Sequence, residues 1–197
     1  MNLYIVRHGE TKSNIEKRYC GLYEAELTEE GKAQGLELNK RLRNIVFHKI
    51  YTSCSKRAEI TADIITDGAH SYRDSRLNEL NFGVFDNKTY EEIQKYYPEQ
   101  CKAWQEDWKG YAIPQGESTL QAFQRVKSFM RDLEKQQEKN ILIVTHGGII
   151  RLMYCYVLNE NLDLYWKFTS SNGGLSILNY EYGNWTIEEI EKGGCYE

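Results

Sequence analysis

Three short apolar runs in this chain end in residues able to bind an anion or attack phosphorus. LYIV (3–6) runs into Arg7-His8-Gly9, KIYTS (49–53) into Cys54-Ser55-Lys56-Arg57, and ILIVT (141–145) into His146-Gly147-Gly148. If the runs are strands of one sheet, ligands sit beyond their carboxyl ends. Two imidazoles and two guanidiniums then converge on one rim. Arg57 falls in the first turn of a helix, where the macrodipole already presents positive charge. It costs about 0.3–1 kcal/mol there unless an anion offsets it. Gly147-Gly148 opens a further helix and frees backbone N–H groups for an anion. Arginine's planar fork can hold two phosphate oxygens at once, and imidazole can attack phosphorus to give a phosphohistidine. This set suits a dianionic phosphoryl group.

Such a site also needs an acid to protonate the departing oxygen. Glu79, in SRLNELNFG (75–83) and flanked by Leu77, Leu80 and Phe82, is the candidate. His48 and His70 have polar neighbours and no partner motif, and read as ordinary surface residues. The aromatic group Tyr90, Tyr96, Tyr97, Trp104 and Trp108 reads as packing beneath an insertion, two of whose members could line a substrate pocket. No metal is expected. The four histidines form no HxH or HxxxH pair, and arginines beside His8 and His146 would repel a divalent cation.

The elements that must position these residues follow from periodicity. A helix is expected over 27–45, with Thr28 as N-cap, two glutamates in its first turn and Leu38, Leu42 and Ile45 on one face. A second helix is expected over 55–66, with Ala58, Ala62 and Ile65 at helical spacing. Thr89 with Glu92, and Ser118 with Gln121, have capping-box spacing, and Pro98 is expected to stop the helix that Thr89 opens. The run over 141–148 is the strongest buried strand, followed by a mostly apolar helix over 148–158. LSILNY (175–180) and WTIEEI (185–190), with Gly183-Asn184 between them, predict a terminal hairpin. The alternation predicts an α/β fold, a three-layer sandwich with a mainly parallel central sheet and helices on both faces. A polar segment over about 74–117 is expected to form a helical cap inserted into a single domain, 1–197.

Composition narrows the classes of function. The chain has 197 residues, a formal net charge of −4 and 41% apolar residues. No clustered basic face marks a nucleic-acid binder, and no apolar stretch is long enough to cross a membrane. Five cysteines (Cys20, Cys54, Cys101, Cys155, Cys195) form no CxxC, which predicts reduced thiols and a cytoplasmic setting. The strand at the carboxyl end could pair with a second copy, giving a candidate homodimer.

RHGET with Asn14, SCSKRAEITA, LNEL followed by FG, and THGG occur in one order across nearly the whole chain. Together they resemble the histidine phosphatase superfamily, also called phosphoglycerate-mutase-like. The resemblance implies that His8 is the nucleophile, that Arg7, Arg57 and His146 hold phosphoryl oxygens, and that Glu79 is proton donor and then base. It implies substrate contacts from Asn14, Thr11, Cys20, Gly21 and Gly147, and no cofactor or metal. Chain length and the segment FGVFDNKTYEEI are similar to the short bacterial phosphatases, the α-ribazole branch among them. The expected activity is a phosphomonoesterase acting on a small phosphorylated metabolite, with α-ribazole 5′-phosphate as one candidate. A cofactor-dependent phosphoglycerate mutase and a non-catalytic phosphate- or phosphoprotein-binding module are the alternatives. Cys20, and YEAEL where many relatives carry an Asp and a Pro, depart from the family pattern.

Overall fold

A computed structural model describes residues 1–194, so Cys195 lies outside the described residues. The elements run β1 (Asn2–Arg7), α1 (Lys12–Ile15), β2 (Arg18–Tyr19), α2 (Glu29–Leu42), β3 (Lys49–Thr52), α3 (Lys56–Thr66), β4 (Tyr72–Arg73), β5 (Lys88–Thr89), α4 (Tyr90–Tyr96), α5 (Pro98–Glu106), α6 (Thr119–Leu133), β6 (Asn140–Thr145), α7 (Gly147–Val157), β7 (Leu175–Glu181) and β8 (Asn184–Ile190). The main sheet has the order β4-β3-β6-β1-β7-β8. Its β4, β3, β6 and β1 are parallel, and β7 and β8 complete it antiparallel. This is the expected mainly parallel sheet with an antiparallel hairpin at one edge.

The continuous apolar sequence of β6 follows from burial on both faces. Ile141 and Ile143 point to one side with Leu3 and Ile5 of β1, where they meet Phe123, Val126, Met130 and Leu133 of α6 and Ile149, Ile150 and Met153 of α7. Leu142 and Val144 point to the other side with Val6, and meet Leu38 and Leu42 of α2 and Ala58, Ala62 and Ile65 of α3. Each fully buried aliphatic side chain of this kind contributes about 1.5–3 kcal/mol. The two apolar layers clamp β1 and β6 at the centre of the sheet, so their carboxyl ends are the most rigidly placed points on the rim.

Helix boundaries follow local chemistry. Thr28 accepts the Gly31 N–H at 2.9 Å and starts α2. Gly31 is also a point of close approach. A Cβ on Gly9 would lie 2.2 Å from the Gly31 carbonyl oxygen, so the turn after β1 can rest directly on α2 only as glycine. Pro98 ends α4 as expected, but it also opens α5, which the sequence reading did not anticipate. Proline suits the first helical position because the N–H it lacks would be unpaired there anyway. The segment over 74–117 carries its own small apolar cluster of Phe85, Ile93, Cys101 and Ile113. It joins the rest through the two-residue pairing of β5 with β2, through Leu77 and Leu80 in the main core and through the hydrogen bonds of Asp86 to the 21–23 loop.

Candidate active site

His8 is the first residue beyond β1. Its backbone N–H donates to the Thr145 carbonyl at 2.9 Å, one rung past the β1–β6 ladder. His146 is the first residue beyond β6. Adjacent parallel strands that stop together thus set two imidazoles side by side. Their ring centroids are 5.1 Å apart with planes at 64°. Both rings are buried, at 4% and 0% exposure.

The hydrogen bonds assign the ring protons. A carbonyl only accepts, so the 2.8 Å contact between His8 Nδ1 and the Gly9 oxygen puts the proton on Nδ1 and leaves the lone pair on Nε2. A guanidinium only donates. Arg57 Nη2, at 3.4 Å, therefore makes His146 Nδ1 the acceptor, and His146 Nε2–H donates to Ser53 Oγ at 2.8 Å. Ser55 Oγ is also within 3.3 Å of that nitrogen. Ser55 sits at the N-cap of α3 yet makes no side-chain capping bond. Its hydroxyl serves His146 instead, while the Glu24 carboxylate accepts the Lys56 N–H at 3.2 Å. Burial, then the positive charge of Arg57, hold both histidines well below their ordinary value of 6.5. Both rings are therefore neutral at pH 7, which is the form a nucleophilic imidazole requires.

The two arginines flank the rings. Arg57 is 1% exposed. It donates to the carbonyl oxygens of Tyr23, Gly21 and Cys20 at 2.8, 2.9 and 3.2 Å, and its Nε is buried without a partner. Arg7 donates to the Ser170 carbonyl, and its Nε is likewise buried and unpartnered. Burial lowers the Arg7 pKa, with Glu79 acting in the opposite direction. Its guanidinium lies against Gly147, where an added Cβ would be 3.3 Å from Cζ. Buried guanidinium N–H groups without acceptors are costly and mark where an anion's oxygens would be welcome.

Glu79 stands at the mouth, in a setting more polar than its apolar sequence neighbours suggest. Its carboxylate accepts the Gly148 N–H at 3.1 Å and the Leu80 N–H at 3.0 Å. Gly148 has to be glycine for this, because a Cβ would lie 2.4 Å from Glu79 Oε1. Glu79, Arg7, Gly147 and Gly148 share a cleft of about 250 Å³ with Tyr19, Phe82, Trp104, Trp108, Arg151, Tyr165 and Trp166. A larger hollow of about 430 Å³, between α2 and the 191–194 segment, is lined by neither Arg7 nor Glu79.

The remaining sequence candidates take varied positions. Gly21 and Cys20 reach the site through their carbonyls. The Cys20 thiol turns to the Tyr23 carbonyl, and burial raises its pKa. Thr11 is buried and directs its hydroxyl and its N–H to Asn14 Oδ1, at 2.9 and 3.0 Å. Asn172 Nδ2 adds a third donor to that oxygen at 3.0 Å. Any contact of Asn14 with an anion therefore falls to its own Nδ2. Among the described residues, no group of three or more His, Cys, Asp or Glu side chains is arranged to hold a metal ion.

Sequence reasoning missed several participants. Asn172 Nδ2 also donates to the His8 carbonyl at 3.1 Å, and the Gly173 N–H donates to the Arg7 carbonyl at 3.1 Å, so the 170–174 turn cradles the end of β1. No local pattern announces this. Arg151 had a signal. It lies three and four residues past Gly148 and Gly147 on α7, hence on their face. Its guanidinium rests 5.5 Å from the Tyr165 ring centroid and 5.3 Å from that of Trp166, and its Nε is buried without a partner. Two of the expected insertion aromatics, Trp104 and Trp108, do line the cleft.

Comparison with known proteins identifies the family. Residues 3–192 match the family model described as histidine phosphatase superfamily (branch 1). The adenosylcobalamin/alpha-ribazole phosphatase of Salmonella typhimurium is 31% identical over 194 residues, covering 96% of each chain. Phosphoserine phosphatase 1 of Hydrogenobacter thermophilus is 30% identical over 184 residues, covering 92% of this chain and 87% of the relative. The crystal structure of the alpha-ribazole phosphatase from Shigella flexneri superposes with a TM-score of 0.91 at 28% identity over the full length of both chains. The match over residues 3–192 and the 31% identity along 96% of the chain show that it belongs to the histidine phosphatase superfamily.

Proposed function

We propose that the chain is a metal-independent phosphomonoesterase that works through a phosphohistidine at His8. The substrate phosphate docks between Arg7, Arg57 and His146. The His8 Nε2 lone pair attacks phosphorus in line, and the bond to the ester oxygen breaks. Glu79 gives its proton to that oxygen. A water then gives a proton to Glu79 and attacks phosphorus, the P–N bond breaks, and phosphate leaves with His8 restored. The observation that carries this reading is the 5.1 Å pairing of two buried imidazoles beside the buried Arg57 and the half-buried Arg7, each with a buried, unpartnered Nε. Positioning and charge stabilisation are what phosphoryl transfer chiefly requires.

The cleft argues for the substrate. Tyr19, Phe82, Trp104, Trp108, Tyr165 and Trp166 wall the space beyond Glu79, and such faces suit a flat heterocycle. Together with the Salmonella and Shigella relatives, this supports α-ribazole 5′-phosphate as substrate over a phosphoamino acid. A phosphate-release screen across α-ribazole 5′-phosphate, phosphoserine, sugar phosphates and phosphoglycerates tests it, and faster turnover of phosphoserine would reverse the preference. His8→Ala is expected to abolish hydrolysis of p-nitrophenyl phosphate, while a chelator leaves the wild-type rate unchanged. Retained activity in His8→Ala would end the phosphohistidine reading.

A further inference from the structure

Among the described residues, no carboxylate holds Arg57 in direct contact, although it is a buried cation. Its Nη groups meet the carbonyls of Cys20, Gly21 and Tyr23. On the opposite edge of the same loop lies Asp86, which belongs to the 74–117 segment. Its Oδ1 accepts the Gly21 N–H at 2.7 Å, and its Oδ2 accepts the Leu22 and Tyr23 N–H groups at 3.0 and 2.9 Å. The Cys20 carbonyl and the Gly21 N–H are the two ends of one peptide group. So are the Gly21 carbonyl and the Leu22 N–H. Two consecutive peptide planes are thus hydrogen-bonded to a guanidinium at one end and to a carboxylate at the other. Hydrogen bonds in such a chain polarise one another. Apolar packing does little to hold the loop, since Leu22 and Tyr23 are 56% and 46% exposed.

We propose that Asp86 is a positioning residue for Arg57, an ion pair relayed through the Cys20–Gly21 and Gly21–Leu22 peptide groups. By fixing the loop it fixes where the guanidinium meets the phosphoryl oxygens, and it ties the phosphate end of the site to the inserted segment. The proposal rests on the phosphoryl-transfer reading above.

A double-mutant cycle on p-nitrophenyl phosphate tests it. Asp86→Ala is expected to lower kcat/KM about tenfold or more, as misplacement of a binding group does. The inhibition constant of inorganic phosphate should rise in parallel. In an Arg57→Gln background the same Asp86→Ala change should cost less than about twofold, because residues that act as a unit are non-additive. Asp86→Asn, which keeps one acceptor oxygen, should fall between and serves the same cycle if the alanine variant does not fold. Equal losses in both backgrounds, or no loss in the wild-type background, would overturn the relay and leave the phosphatase reading intact. Full activity of Arg57→Gln alone would remove Arg57 from the phosphate site and the relay with it, the His8 reading being tested separately by His8→Ala.

Discussion

The Gly9 carbonyl decides which nitrogen of His8 carries the lone pair. It holds the Nδ1 proton, so the free lone pair is the one on Nε2. The ring's depressed basicity, from burial and then from Arg57 and Arg7, keeps that lone pair free in mild acid. The acid limb of kcat/KM is therefore expected well below pH 6.5, the ordinary histidine value; a limb at 6.5 or above, in a pH–rate profile of the free enzyme, would contradict the assignment. Glu79 carries a separate expectation. Glu79→Gln should lower turnover of an alkyl phosphate by about 10²–10⁴-fold, the usual worth of a general acid. It should lower formation of the phosphoenzyme from p-nitrophenyl phosphate much less, since that leaving group needs little protonation. Rapid-quench rates on the two esters measure the difference, and equal losses would mean that Glu79 does not protonate the leaving oxygen.

At the scale of elements, α7 does two jobs at its first turn. Gly147 lets Arg7 lie flat against the helix, and the Gly148 N–H holds the Glu79 carboxylate. Gly148→Ala should favour the helix slightly by propensity, yet its new methyl would collide with Glu79 Oε1 and Leu80 Cδ1. Both are ends of flexible side chains. The expected result is a thermal midpoint near wild type with kcat/KM reduced severalfold; unchanged activity would show that the Glu79 pose is not needed. The strand ends and helix starts that build this turn were legible in sequence because period, glycine pairs and caps are local signals. Thr28, Thr89 and Ser118 all cap as their spacing implied. Arg7, His8, Arg57 and His146 were legible for the same reason, since each follows an apolar strand. Asn172 and Asp86 were not. They act through loop backbone brought in from far along the chain, and no periodicity encodes that. The start of α5 at Pro98 was hidden because proline ends one helix and begins another with the same chemistry.

For the whole molecule, the buried histidine pair links stability to pH. His8 and His146 have folded pKa values well below 6.5. Unfolded, each takes up a proton as the pH falls through 6.5; folded, neither does until much lower. Their contribution is complete above 6.5 and is lost as the pH drops below it, at up to about 1.4 kcal/mol per pH unit for each ring. Urea unfolding between pH 5 and 8 should show this decline, with His146→Gln flattening it; a midpoint independent of pH across 5 to 6.5 would refute the buried neutral pair. The central pairing of β1 with β6 has a further consequence, for how the protein acquires activity. The Asn2–Asn140 contact joins residues 138 apart in sequence. A parallel ladder between such distant segments closes late, because chain entropy is lost before the contacts repay it. A nascent chain that has not yet made β6 holds His8 at the end of a segment with no strand yet paired beside it and no second imidazole in place. Return of turnover during refolding therefore clocks the closing of the sheet's centre.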